Sequence, residues 1–172
     1  GSSVSALTTS MSISNDWVGA TVYPDSARFV IRTTGGDPDL PDDNGKNLLY
    51  PIDFRRPPSF TTIDVDGRRQ TIGGDPKKVT RPLRIENGSL AISFRYGYIE
   101  VVQRLSIGTN PYTGRPDSVR VAYEFKNRDS DLHSVGLRVM LDTVLGADDG
   151  ADFFVPGIGA IGAEREIRAE TI

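Results

Sequence analysis

The sequence predicts an all-β chain, an antiparallel β-sandwich with little or no helix. Three observations carry that expectation. Apolar residues recur with period two, glycine-bearing turn pairs separate the alternating runs, and no run shows the i, i+3, i+4 apolar stripe of an amphipathic helix. The 172 residues suffice for one domain with a sizeable core, with 18 Gly and 11 Pro matching a turn-rich, strand-rich chain.

Near the N-terminus "MSISN", "WVGATVYP" and "ARFVIRTT" read as three strands joined by Asn15-Asp16 and by Pro24-Asp25-Ser26. The acidic run "GGDPDLPDDNGKN", residues 35–47, has no periodicity and is expected as a long surface loop. Asp66-Gly67 and Asn87-Gly88 tolerate positive φ at both central positions of a type I′ turn, which predicts two hairpins. In "SLAISFRY", Leu90, Ile92, Phe94 and Tyr96 form an apolar face, with Ser93 and Arg95 on the other. Ile99, Val101, Leu105 and Ile107 continue the pattern, as do Val119, Val121, Tyr123 and Phe125. Val135, Leu137, Val139 and Leu141 read as the buried face of a core strand. "GAEREIRAETI" is the one helix candidate, and it suits a strand or frayed end as well. A single domain over 1–172 follows, either complete or the N-terminal part of a larger sandwich.

Charge and composition bear on function mainly by exclusion. A net charge of -3 and a pI near 5.2 give no global reason to bind nucleic acid or an anionic membrane. Membrane insertion is not expected, because no apolar run approaches the length of a span. Without cysteine there is no disulfide, thiolate metal site or cysteine nucleophile. The single histidine, His133, follows "RDSDL" and reads as an ordinary histidine at an exposed turn. Both "GGDP" segments, at 35–38 and 73–76, read as turns, since neither has the strand-then-helix setting of a phosphate cradle.

Candidate chemistry rests on carboxylates and aromatic rings. Asp142 ends a strand, and Asp148, Asp149 and Asp152 follow on its loop, where they could offer oxygen ligands to calcium, though without the EF-hand pattern. Local hydrogen bonding to the loop backbone accounts for the same aspartates without a metal. Tyr98 in "RYGY" and Tyr112 in "TNPYTGRPD" stand beside turns, where a ring can remain exposed and stack on a sugar. Tyr98, Tyr112, Asp142 and Asp149 are therefore the expected ligand-binding residues, with Asp148, Asp149 and Asp152 the metal candidates.

The stretches "ARFVIRTTGGDP", "IEVVQRLSIGTNPYTGRPDSVRVAYEFKNRDSDLHSVGLRVMLDT" and "LGADDGADFFVPG" together resemble a group of uncharacterised bacterial proteins, often exported or surface-associated. The middle stretch is also distantly similar to galactose-mutarotase-like and carbohydrate-binding sandwiches. The resemblance implies a module at the cell surface or outside the cell, possessing no assigned activity. Mutarotases use a histidine and a glutamate on inner strands; the one histidine here stands at a loop edge, so that assignment does not carry over. The first functional expectation is a non-enzymatic module that binds a glycan or surface polymer or serves in assembly. A fragment of a carbohydrate-active enzyme, pairing Asp142 with Asp148, Asp149 or Glu100, is the second. A purely structural subunit is the third. If the chain is part of a larger sandwich, a missing C-terminal segment or a homo-oligomer partner should cover some of its apolar surface.

Overall fold

The computed structural model describes residues 10–50, 57–144, 153–155 and 157–163, and it is all-β as the alternation predicts. Strands β1 (Met11–Ser14), β2 (Val18–Val22) and β3 (Phe29–Thr33) form an antiparallel meander. Next come β4 (Phe60–Val65), β5 (Arg68–Thr71), β6 (Val79–Glu86), β7 (Ser89–Tyr96), β8 (Ile99–Gly108) and β9 (Ser118–Asn127). After β10 (Val135–Met140), a small hairpin pairs β11 (Phe153–Val155) with β12 (Gly159–Ile161). The helical content among the described residues is two single 3-10 turns, Pro41–Asp43 and Pro76–Lys78. No helix there is long and apolar enough to cross a membrane.

One layer is the sheet β6-β7-β8-β9. The other contains β1-β2-β3 and β10-β4-β5, stitched together by residues 47–50. Asn47 bridges Arg32 on one side, Leu49 bridges Thr143 on the other, and the Leu48 amide donates to the Ile31 carbonyl at 2.9 Å. The buried faces meet in one core that includes Val22, Phe29, Ile63, Leu90, Phe94 and Leu105. Such close-packed apolar contact is the main source of stability in a sandwich.

The turn pairs take their expected places. Asp66 and Gly67 have φ of 52° and 78° between β4 and β5, and Asn87 and Gly88 have 51° and 73° between β6 and β7. These left-handed pairs match the twist of the strands they join. The second "GGDP" is also a turn, and a tight one. Gly73 has a φ of 77°, and a Cβ there would lie 2.2 Å from the Ser26 carbonyl oxygen.

Two strands differ from the one-face-in pattern. On β7, Ser89, Ala91 and Ser93 are as buried as the apolar row opposite them. Their small size lets long side chains lie across them. Arg84 reaches the Ala91 carbonyl and the Ser93 hydroxyl at 3.4 Å each, and Glu86 accepts from Arg84 at 3.3 Å and from Arg104 at 3.1 Å. The Arg104 guanidinium first, then Arg84, hold the Glu86 carboxyl below its usual range. On β8, Gln103 falls on the apolar face and is 1% exposed. Its Nε2 donates to the Ala27 carbonyl at 2.8 Å, and its Oε1 accepts from the Tyr123 hydroxyl at 3.3 Å. Thr61 on β4 completes this chain with a 2.5 Å bond to the Tyr123 oxygen, so a fully satisfied polar link joins the two layers.

β10 requires a correction. Its ladder pairs Val135 with Val65, Leu137 with Ile63 and Val139 with Thr61, which puts its apolar row on the same side as buried residues of β4. Yet Val135, Leu137, Val139 and Leu141 are 38%, 40%, 41% and 49% exposed. The row faces inward but is not covered, so β10 is not the core strand its alternation suggests.

Candidate functional site

Backbone geometry shows that one edge of β10 is open. The Tyr50 amide donates to the Asp142 carbonyl at 2.8 Å, while the Asp142 amide donates to Ser59 Oγ at 2.9 Å. In an extended strand the N–H and C=O of one residue point the same way, so both partners approach from the β4 side. The opposite edge of β10 has no strand partner among the described residues. β9 is likewise terminal in its sheet, and its inward row ends in Phe125, 41% exposed.

These two edges differ from those at β5 and β6. β6 carries Pro82 and two register shifts against β7, and β5 is a four-residue strand reading Arg-Arg-Gln-Thr. Proline, irregular register, short length and charge are the devices that protect sheet edges from pairing. β9 has no proline, no register break and no shortness, holding an unbroken ten-residue register against β8, and its charges Arg120, Glu124 and Lys126 all stand on its outward face; β10 carries one charge, Arg138. Neither Arg120 nor Lys126, on the outward face of β9, makes a salt bridge to a described residue. The outcome is an open flank with an apolar inner wall and an outer rim of Arg120 and Lys126, with Glu124 between them paired to Arg104.

A second site lies at one end of the sandwich, where three hairpin or loop segments converge. His133 Nδ1 lies 2.7 Å from Asp66 Oδ2 and Nε2 lies 3.4 Å from Asp129 Oδ2. Its side chain is only 15% exposed, which corrects the expectation of an ordinary surface histidine at an exposed turn. Carboxylates at both ring nitrogens suit the doubly protonated ring, and the hydrogen bond to Asp66 chiefly raises the His133 pKa. Asp66 also accepts the Ser134 amide at 2.9 Å, fixing the β4–β5 hairpin to the start of β10. The local sequence hides this arrangement, since Asp66 and His133 stand 67 positions apart.

Tyr98, after Gly97 in the β7–β8 turn, stacks on His133 with ring centroids 5.9 Å apart and an interplanar angle of 27°. The residue is nevertheless 59% exposed. Beside it opens a cleft of about 490 Å³, lined by Val65, Arg68, Gln70, Lys78 and Tyr96 as well as Tyr98 and the His133–Asp66 pair. Arg68 helps hold the Asp66 carboxyl down but closes no salt bridge, and Lys78 has none among the described residues. Burial pushes the Tyr96 phenol up to about 12; its hydroxyl lies against the Gly73 backbone without closing a hydrogen bond of good geometry.

The remaining candidates do not gather at this cleft. Tyr112 is 68% exposed but lies beyond the far end of β8, so the two tyrosines are separated by a strand on the order of 30 Å long and form no shared platform. Asp142 is engaged through its backbone, as described, on the outward-facing parity of β10. Glu100 sits on the outer face of the other sheet, where Arg128 Nε donates to it at 2.6 Å and holds its carboxyl low. Glu100 and Asp142 therefore share no groove. Asp148, Asp149 and Asp152 lie outside the described residues; among those described, no group of three or more potential ligands could hold a metal ion. Trp17, which stacks under the Arg115 guanidinium at 5.0 Å, belongs to a separate cluster at the opposite end. No family model, curated protein sequence or solved structure matches the chain.

Proposed function

We propose that the protein is a non-enzymatic β-sandwich module that works in assembly, accepting an extended polypeptide strand along the β9/β10 flank. The observation that carries this reading is the inward-facing row Val135, Leu137, Val139 and Leu141, left 38% to 49% exposed beside a strand edge with no partner among the described residues. A strand added to β9 gains ladder hydrogen bonds, and alternate apolar side chains on it can fill the space beneath β10. Outward positions opposite Arg120 and Lys126 favour acidic residues. No covalent chemistry is needed.

The test uses a synthetic ten-residue peptide alternating valine and glutamate, with amide exchange of β9 and β10 as the readout. Binding should slow exchange along β9, and the double variant Leu137→Glu, Val139→Glu should abolish it while retaining the native amide spectrum. Light scattering on the free protein distinguishes a second copy as the occupant: a dimer protected at β9 assigns the flank to self-association. A monomer whose edges stay unprotected with the peptide at millimolar concentration would sink the proposal.

A further inference from the structure

The cleft beside Tyr98 carries an inference separate from the open flank. We infer that it is a binding site for an acidic saccharide, a hexuronate residue stacked on Tyr98 with its carboxylate directed to Arg68 and Lys78. Three features support this ligand class.

The first is an exposed ring held in a fixed orientation. Tyr98 stacks on His133, which Asp66 and Asp129 grip from opposite sides, so little further ordering of the platform is needed when a ligand arrives. The remaining surface of the ring, in a residue 59% exposed, offers an apolar face to the C–H side of a pyranose. The second is charge. Asp66 and Asp129 are committed to His133, whereas Arg68 and Lys78 close no salt bridge with a described residue although both line the cleft. Cations without a fixed partner beside an aromatic surface suit a carboxylate-bearing ligand better than a neutral one. The third is size and polarity. A volume of about 490 Å³ falls in the range of small-molecule clefts, and the Gln70 amide adds both a donor and an acceptor for ring hydroxyls.

The experiment titrates the folded protein with a galacturonate trisaccharide, a neutral galactose trisaccharide and sodium acetate, following amide shifts and calorimetric heat. Saturable binding of the uronate is expected, with shifts centred on Arg68, Lys78, Gly97 and Tyr98. The neutral sugar should bind at least ~10-fold more weakly. Tyr98→Ala should lose at least ~10-fold in affinity, and Lys78→Gln should both weaken binding and reduce its dependence on salt. Equal affinity for the neutral sugar, an identical shift pattern with acetate alone, or uronate shifts confined to another face would each overturn the assignment. Because Tyr98 and Lys78 both lie outside the apolar core, native spectra of the two variants separate lost recognition from lost fold.

Discussion

Leu137 and Ile63 face each other across the β10–β4 ladder, yet one is 40% exposed and the other fully buried. Truncating each to alanine turns that difference into a measurable statement about the open flank. For Ile63→Ala the lost transfer energy combines with a cavity that its neighbours cannot fill, so a cost of about 2–5 kcal/mol is expected. Leu137 has a little over half of its surface covered, and water can enter the space its side chain leaves. Only part of the roughly 1.5–3 kcal/mol of a buried leucine is then forfeited, giving about 1 kcal/mol. Urea unfolding at two widely separated protein concentrations reads both numbers. The isolated module should show a Leu137→Ala cost near 1 kcal/mol that does not change with concentration, whereas a cost that grows with concentration identifies a self-associated flank. A loss of 3 kcal/mol or more in a protein shown to be monomeric would refute the reasoning, because it would mean that β10 is covered within the chain.

Two other outcomes follow from the same geometry. His133 has its pKa raised above 6.5 chiefly by Asp66, so its stabilising contribution is complete below that value and is lost as pH rises through the folded-state pKa. Asp66 is lowered below 3.8 chiefly by His133, so its contribution is present above that value and is lost as pH falls through the folded-state pKa. Both are fully in place between those limits, and thermal unfolding against pH should lose this part of its profile in His133→Asn; an unchanged profile would show that the pair is not coupled to folding. Gly73→Ala should destabilise by more than about 1 kcal/mol, since a positive φ combines with a Cβ only 2.2 Å from backbone oxygen at Ser26; near-wild-type chemical denaturation would contradict the tight turn.

Much of the architecture is set locally and was legible for that reason. Asp66-Gly67 and Asn87-Gly88 specify I′ turns through their own φ preferences, and alternation in "SVRVAYEFKN" fixes which side of β9 turns inward. The exposure of Tyr98 and Tyr112 could be anticipated from the turns beside them. The order of the sheets, the stitch through Leu49 and the burial of Gln103 depend on partners distant in sequence, and no local pattern encodes them.

What the sequence by itself determined is therefore most of the strands, the hairpin turns and the inward side of each apolar row; the β11–β12 hairpin falls in a stretch that reads as a loop. Tertiary structure alone decided which rows are covered and which side chains meet. Alternation records the direction of a side chain relative to its own backbone, whereas burial depends on what stands opposite. Val135, Leu137, Val139 and Leu141 follow the same alternation as the core strands but sit on an edge beyond which no described strand closes the layer. His133 became a positioned residue only when β4, β7 and β9 brought the loops of Asp66, Tyr98 and Asp129 to one end of the sandwich.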